Sequence, residues 1–335
     1  MLGSHIRTFA DPYSYQAAFR GAEAEILVTV RGDYRAELTQ INLPRLWLQR
    51  GHENLPRIFV GTLPSERAPI GFFAEANQAA VRHCGVDVSP SDIIFNGSCC
   101  STFHRQTFAP CHWASMSLTR EDLSTTANTI TGRDLTVPAN TTLVRPTAAS
   151  MSGLRDLHES TARLAKVAPD MLTLPDVARA LEQALLHAMI TCLTGGTPVE
   201  TCPSIHHHSR VIARFEEFLA ANHNRSLYLA EICTAIGVSA RMLQVCCHDL
   251  LGMSPMRYLW LRRMHLARRA LMLADRTTTT VTAIVTKFGI WELGRFSVAY
   301  QALFGESPSA SLRRPREDQG ARQDNPFSLP AAQFA

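Results

Sequence analysis

The segment Tyr228-Leu-Ala-Glu-Ile-Cys-Thr-Ala-Ile-Gly-Val-Ser-Ala-Arg-Met-Leu-Gln-Val-Cys-Cys247 carries two short apolar periodicities on either side of one glycine. Leu229, Ile232 and Ile236 recur at helical spacing before Gly237, and Leu243 and Cys247 continue it afterwards. Gly237 suits the positive-φ residue that ends a helix, and Ser239 suits the N-cap of the next one. Short helix, glycine turn and capped second helix make a helix-turn-helix, whose second helix is free to enter a DNA major groove.

The plan returns downstream. Thr280-Val-Thr-Ala-Ile-Val-Thr-Lys-Phe-Gly289 repeats the first helix and turn, and Glu292-Leu-Gly-Arg-Phe-Ser-Val-Ala-Tyr-Gln-Ala-Leu-Phe304 repeats the second helix. Each copy runs into Gly-x-Ser-Pro, at Gly252 to Pro255 and Gly305 to Pro308, an offset of 53 residues (305 − 252). A repeat at this period indicates duplicated modules.

The region resembles the DNA-binding domain of the AraC/XylS family of transcription regulators. The resemblance rests on Gly237-x-Ser-x-Arg-x-Leu243, Gly252-x-Ser-Pro-x-x-Tyr-Leu259 and Arg263-Met-x-x-Ala-Arg-x-x-Leu271. It continues through Gly289 to Phe296 and Phe304-Gly-x-Ser-Pro-Ser309, so it covers about a third of the chain. Val245 and Val298 stand where the family usually has an arginine late in each recognition helix, and Cys247 stands where an aromatic is usual.

Charge follows the same division. Residues 205–314 hold 14 Lys+Arg against 7 Asp+Glu, net +7; residues 1–204 hold 17 against 19, and the tail 2 against 3, so 7 − 2 − 1 gives the overall +4. A basic half that contains the duplicated motif is the footprint of phosphate binding. The nine cysteines include the adjacent pairs Cys99-Cys100 and Cys246-Cys247, with no Cys-x-x-Cys. That pattern fits buried thiols in a reducing, cytoplasmic compartment. No signal peptide and no apolar run of membrane-spanning length is evident.

Outward from the motif, short alternating runs predict strands at 25–30, 35–42, 46–50, 57–63, 70–74, 80–84, 92–96, 102–108 and 113–118. Gly32-Asp33, Ser89-Pro90 and Asn96-Gly97 supply turn signals between them. Such spacing suggests a small barrel or a double-sheet roll. Val-Ser-Pro-Ser-Asp-Ile-Ile-Phe95 resembles the turn before a strand in cupin-like sensor domains. Helices are predicted at 120–130, 150–168 and 175–193, the last two amphipathic and antiparallel. The expected architecture is α+β: a cupin-like β-barrel with flanking helices over 1–194, a linker over 195–209, an all-α double helix-turn-helix domain over 210–314 and a disordered tail over 315–335.

On the first recognition helix Ser239, Arg241, Gln244 and Val245 are the candidate DNA contacts; on the second, Glu292, Leu293, Arg295 and Ser297. Arginine pairs bidentately with guanine, glutamine with adenine, and valine can touch a thymine methyl. Arg262 and Arg263, on the helix joining the two units, are candidate DNA contacts; some of the arginines on that helix are expected to hold phosphates or to brace the domain through carboxylates. The resemblance implies that both recognition helices enter successive major grooves about 34 Å apart.

Trp47, Phe59, His104 and Trp113 are candidates to line an effector pocket, with core packing as the alternative. His83, His104 and His112 stand singly, and no His-x-His, Gly-x-Ser-x-Gly or Walker-type loop precedes residue 206. No catalytic residue, cofactor or metal site is therefore predicted; His206-His-His208 reads as solvated linker. The resemblance implies a regulator of promoter DNA, an activator first and a repressor second, acting with RNA polymerase, controlled by a small-molecule effector, and dimeric through the helices beyond the strands. An effector-independent architectural DNA binder is the alternative.

Overall fold

In the computed structural model, which describes residues 2–63, 66–98, 102–199 and 204–314, the alternating segments form strands and the periodic ones helices. The strands are β1 (Gly3–Phe9), β2 (Glu23–Val28), β3 (Ala36–Asn42), β4 (Trp47–Glu53), β5 (Arg57–Thr62), β6 (Arg67–Phe73), β7 (Val81–His83), β8 (Val86–Val88), β9 (Ile93–Phe95), β10 (Thr102–Gln106), β11 (Cys111–Thr119), β12 (Thr142–Arg145) and β13 (Thr197–Val199). The helices are α1 (Pro12–Gln16), α2 (Arg120–Thr131), α3 (Ala148–Val167), α4 (Pro175–Gly195), α5 (Ser204–Ala221), α6 (Leu229–Ile236), α7 (Ala240–Leu251), α8 (Pro255–Leu273), α9 (Val281–Thr286), α10 (Leu293–Phe304) and α11 (Pro308–Arg313).

Two sheets result, in the orders β1-β3-β4-β11-β6-β9-β12-β13 and β2-β5-β10-β7-β8. They form a double-sheet sandwich, and among the described residues no strand pair closes them into a barrel. The turns explain this. Gly32-Asp33 and Ser89-Pro90 each carry the chain from the smaller sheet to the larger one, so consecutive strands switch layers instead of continuing one ladder. The inner faces meet in a core that joins Ile26, Phe59 and Phe103 of the small sheet to Leu38, Ile94 and Trp113 of the large one.

Each outer face is also covered. α2, α3 and α4 pack on the large sheet through Leu123, Leu154, Leu185 and Met189 against Ile70, Met116 and Leu118. The helical C-terminal domain covers the small sheet, where Leu27 and Ile58 are fully buried in the same core as Phe215, Leu243 and Tyr258. Burying each of these two side chains contributes about 1.5–3 kcal/mol, so the two halves of the chain share one packed boundary.

Several segments differ from expectation. The first residues form β1, paired antiparallel with β3, ahead of the first predicted strand. The expected linker contains β13, paired with β12, and the start of α5. Thr197-Pro-Val199 can serve as a strand because it lies at the sheet edge, where proline's missing N–H costs no ladder bond. Cys99, Cys100 and the expected tail over 315–335 lie outside the described residues. Among the described residues no single helix is long and apolar enough to cross a membrane.

Candidate nucleic-acid interface

α6 ends at Gly237, whose φ of +69° places it in the left-handed region, and Ser239 Oγ accepts the Met242 backbone N–H at 3.2 Å to start α7. Leu243, Cys246, Cys247 and Leu250 turn one face of α7 into the core. The opposite face presents Ser239, Arg241, Gln244 and Val245 to solvent. Thr280 Oγ1 caps α9 in the same manner, and Gly289, φ +68°, turns the chain toward α10. Phe296, Tyr300 and Leu303 are buried, while Glu292, Arg295 and Ser297 are exposed and Leu293 is half-buried. Arg295 is held across the first turn of α10 by Glu292 at 2.8 Å.

The two copies share one feature. Val245 and Val298, 53 positions apart, are both exposed, at 42% and 72%. An outward valine on each recognition helix offers an apolar contact where a long cation would offer hydrogen bonds. Trp291, 66% exposed just before α10, was not among the candidates. Its place after a glycine turn and before the helix start was the available signal.

α8 joins the units. At 1.5 Å per residue its 19 residues span about 28 Å, a single rigid connector between the two units. Its arginines divide by environment. Arg268 is buried and pairs with Glu306 at 3.0 Å, so it braces the second unit. Arg257 lies over the Trp260 ring at 4.1 Å.

Arg262 does not join the exposed face, which corrects its assignment as a phosphate contact. Arg262 points to the small sheet, 3.2 Å from Glu25 of β2, and its side chain is only 17% exposed. Burial would lower its pKa, but Glu25, with Tyr258 and Glu216, outweighs that and raises it, so the guanidinium stays charged. Arg263 is half-buried and donates to the Arg225 carbonyl. Arg262 sits on the side of α8 that faces the small sheet. The sequence period placed it on a helix but could not say what packs there.

More contacts cross the same boundary. His265 Nε2 donates to the Val28 carbonyl at 3.0 Å, and Tyr13 Oη donates to the His265 carbonyl at 2.7 Å. Burial pushes the His265 imidazole down to about 4, and Arg268 pushes the same way, so it is neutral. Glu216 of α5 accepts from Tyr258 Oη at 2.6 Å and lies 3.0 Å from His104 Nε2. Although burial alone would raise the Glu216 pKa, His104, Tyr258 and Arg262 hold it below its ordinary value.

The effector-pocket candidates separate by strand parity. His104 points out of the sandwich onto the helical domain, not inward. Phe59 stacks on Phe103 with centroids 5.4 Å apart, inside the core. Trp113 fills the space over Gly51 and donates its indole N–H to Tyr15 and Glu53, both at 3.1 Å. Phe59 and Trp113 are thus packing residues here. Trp47 alone of the four lines a surface cleft.

Comparison with known proteins agrees with this geometry. Residues 232–314 match the helix-turn-helix domain family. A probable thc operon regulatory protein of Rhodococcus erythropolis is 40% identical over 97 residues, 29% of this chain and 29% of that protein. The C-terminal domain is an AraC/XylS-type helix-turn-helix domain. An XylDLEGF operon transcriptional activator of Pseudomonas putida is 29% identical over 99 residues, 30% of this chain and 63% of the relative. Both alignments therefore span less than two thirds of the relatives they match. The crystal structure of the AraC-like transcriptional activator CuxR aligns over 84% of this chain and 99% of its own, at 13% identity and a TM-score of 0.42, a likeness that carries no weight in the fold described above.

Proposed function

We propose that the chain is a sequence-specific transcription regulator, an activator of promoters, whose cupin-like N-terminal sandwich answers to a small-molecule effector. The observation that carries this reading is the pair of exposed recognition faces, on α7 and α10, held apart by one rigid helix. Each face combines a donor or acceptor side chain with an outward valine, a set able to distinguish base pairs in the major groove. Phosphate attraction comes from the net basic charge of the same half. The operon-activator name of the matched relative favours activation, and activation implies contact with RNA polymerase.

The shared boundary offers a route for effector control. α7 ends against the sandwich, where a Cβ added to Gly85 would lie 3.4 Å from Leu250 Cδ1 and one added to Gly252 would overlap the Gln106 amide. A ligand that changed the sandwich would bias the setting of α7 through that contact, by its differential affinity for the two arrangements. Dimerisation through α3 and α4 would place two such domains on one operator. The test is selection of genomic fragments by the purified full-length chain at moderate salt. Enrichment of one motif beside a few promoters is expected, whereas uniform retention of all fragments would reject sequence-specific regulation.

A further inference from the structure

Three arginines gather at one end of the sandwich without a carboxylate bonded to any of them. Arg7 donates to the Ala18 carbonyl at 3.2 Å and to Gln40 Oε1 at 3.1 Å. Arg20 donates to Asn42 Oδ1. Arg67 donates to Ser117 Oγ at 2.9 Å, to the Ser117 carbonyl, and to the Arg45 carbonyl at 3.0 Å. Every acceptor is neutral. Arg20 and Arg67 lie against Trp47, 4.8 and 3.8 Å from its ring centroids.

The charges are close enough to oppose one another. Burial lowers the pKa of Arg20, with Arg7 adding to it. Burial also lowers that of Arg67, where Asp122 pulls upward and Arg20 downward. Asp122 is itself engaged by Thr119 at 2.5 Å and lies 3.8 Å from Arg45. Arg20 and Arg67, half-buried and held by neutral groups beside the exposed Arg7, make an unmatched positive field, since ordinary packing would place an acid there.

The field faces a cleft of about 960 Å³, bounded by β1, the β3–β4 turn and the short helix Pro169–Thr173. Arg20, Asn42 and Trp47 line it beside Leu2, Leu43 and Pro44, and Asp170 is the single acid in its wall. We infer that this cleft binds an organic carboxylate, its anionic end on Arg20 and Asn42 and its apolar body along Trp47 and the aliphatic wall. Arg7 and Arg67 stand behind Arg20 and supply field without occupying the cleft. The inference rests on the effector reading above, but it places the ligand at the end of the sandwich, away from Phe59 and Trp113.

The test is thermal unfolding of the full-length chain with sodium hexanoate and sodium 1-naphthoate, against hexanamide, 1-naphthamide and sodium phosphate. A saturable rise in Tm is expected from at least one carboxylate and not from its amide. Arg20→Gln should weaken that carboxylate about tenfold or more, the loss of one charge-assisted hydrogen bond, and Arg20→Lys should recover part of it. If Arg20→Gln does not fold, Arg7→Gln, on an exposed edge strand, should still show weakened binding. Equal effects of acid and amide, an equal effect of phosphate alone, undiminished binding by the variants, or no shift with any probe at 10 mM (roughly the upper range of such an assay) would each overturn the site. Carboxylate binding with unchanged DNA affinity would leave the site standing and refute effector control through it.

Discussion

Replacing Arg262 with methionine separates two accounts of the basic helix α8. If Arg262 held a DNA phosphate, its loss would flatten the salt dependence of DNA binding by about 0.9 in the log–log slope. The structure instead joins it to Glu25 across the boundary with the sandwich, with side chains 17% and 26% exposed. Breaking a deeply buried pair costs about 3–5 kcal/mol. The residual exposure of both partners reduces this to about 2 kcal/mol, because water can reach the orphaned carboxylate. Methionine keeps most of the apolar stem, so the loss reports charge more than packing. About 2 kcal/mol in a domain of this size lowers Tm by about 8 °C. Differential scanning calorimetry and a salt series of DNA binding should therefore show a lower Tm and an unchanged slope. Glu25→Gln combined with Arg262→Met should cost less than the sum of the two single changes. A reduced slope with unaltered Tm would refute the assignment.

Other predictions follow from the same contacts. Gly237→Ala should cost about 1 kcal/mol, because its φ of +69° strains any side chain but no atom lies within 4 Å of the new Cβ. Gly289→Ala should cost more, since its Cβ would lie 2.7 Å from the Arg225 carbonyl carbon; equal urea midpoints for the two variants would contradict this. Arg241→Ala should lose about 1–3 kcal/mol on the preferred site and relax one base position, whereas an equal loss on random DNA would make it a phosphate contact. His158 and His265 are neutral when folded, pushed by burial to about 3 and about 4. The unfolded chain takes up protons first as pH falls below the ordinary histidine value, so stability is complete above that value and declines toward pH 4. At pH 5.5 the two together should lose about 3 kcal/mol relative to pH 7.5, read as a lower urea midpoint; a flat profile would contradict their burial as neutral groups.

The C-terminal domain was legible because its signals are local. Gly237, Ser239 and Gly289 fix turns and caps within four residues, and the Gly-x-Ser-Pro offset exposes the duplication. Most strands between residues 23 and 119 were legible from alternation, whereas β1, β8 and β12 were not among the predicted ones, and Thr119 caps α2 just before the predicted helix start. Closure was not, because whether two sheets pair at their edges depends on residues far apart in sequence. The edge strand β13 was hidden by proline and glycine neighbours that read as linker. Site residues divided in the same way. Exposure on α7 and α10 follows from helical period against a known core. The partners of Arg262 and His104 come from another domain, 237 and 112 residues away in the chain, and no local pattern encodes them. Phe59 and Trp113 were ambiguous because an inward strand position serves a core or a pocket equally well.

On the proposed function, α7 and α10 read DNA together as two arms of one rigid unit. Selection from random duplexes, followed by sequencing, tests it with the wild-type chain beside Arg241→Ala and Arg295→Ala. The expected result is a motif in two parts, centred about 10 base pairs apart, with Arg241→Ala erasing information in one part and Arg295→Ala in the other. A single-part motif, or a two-part motif that neither substitution alters, would contradict it.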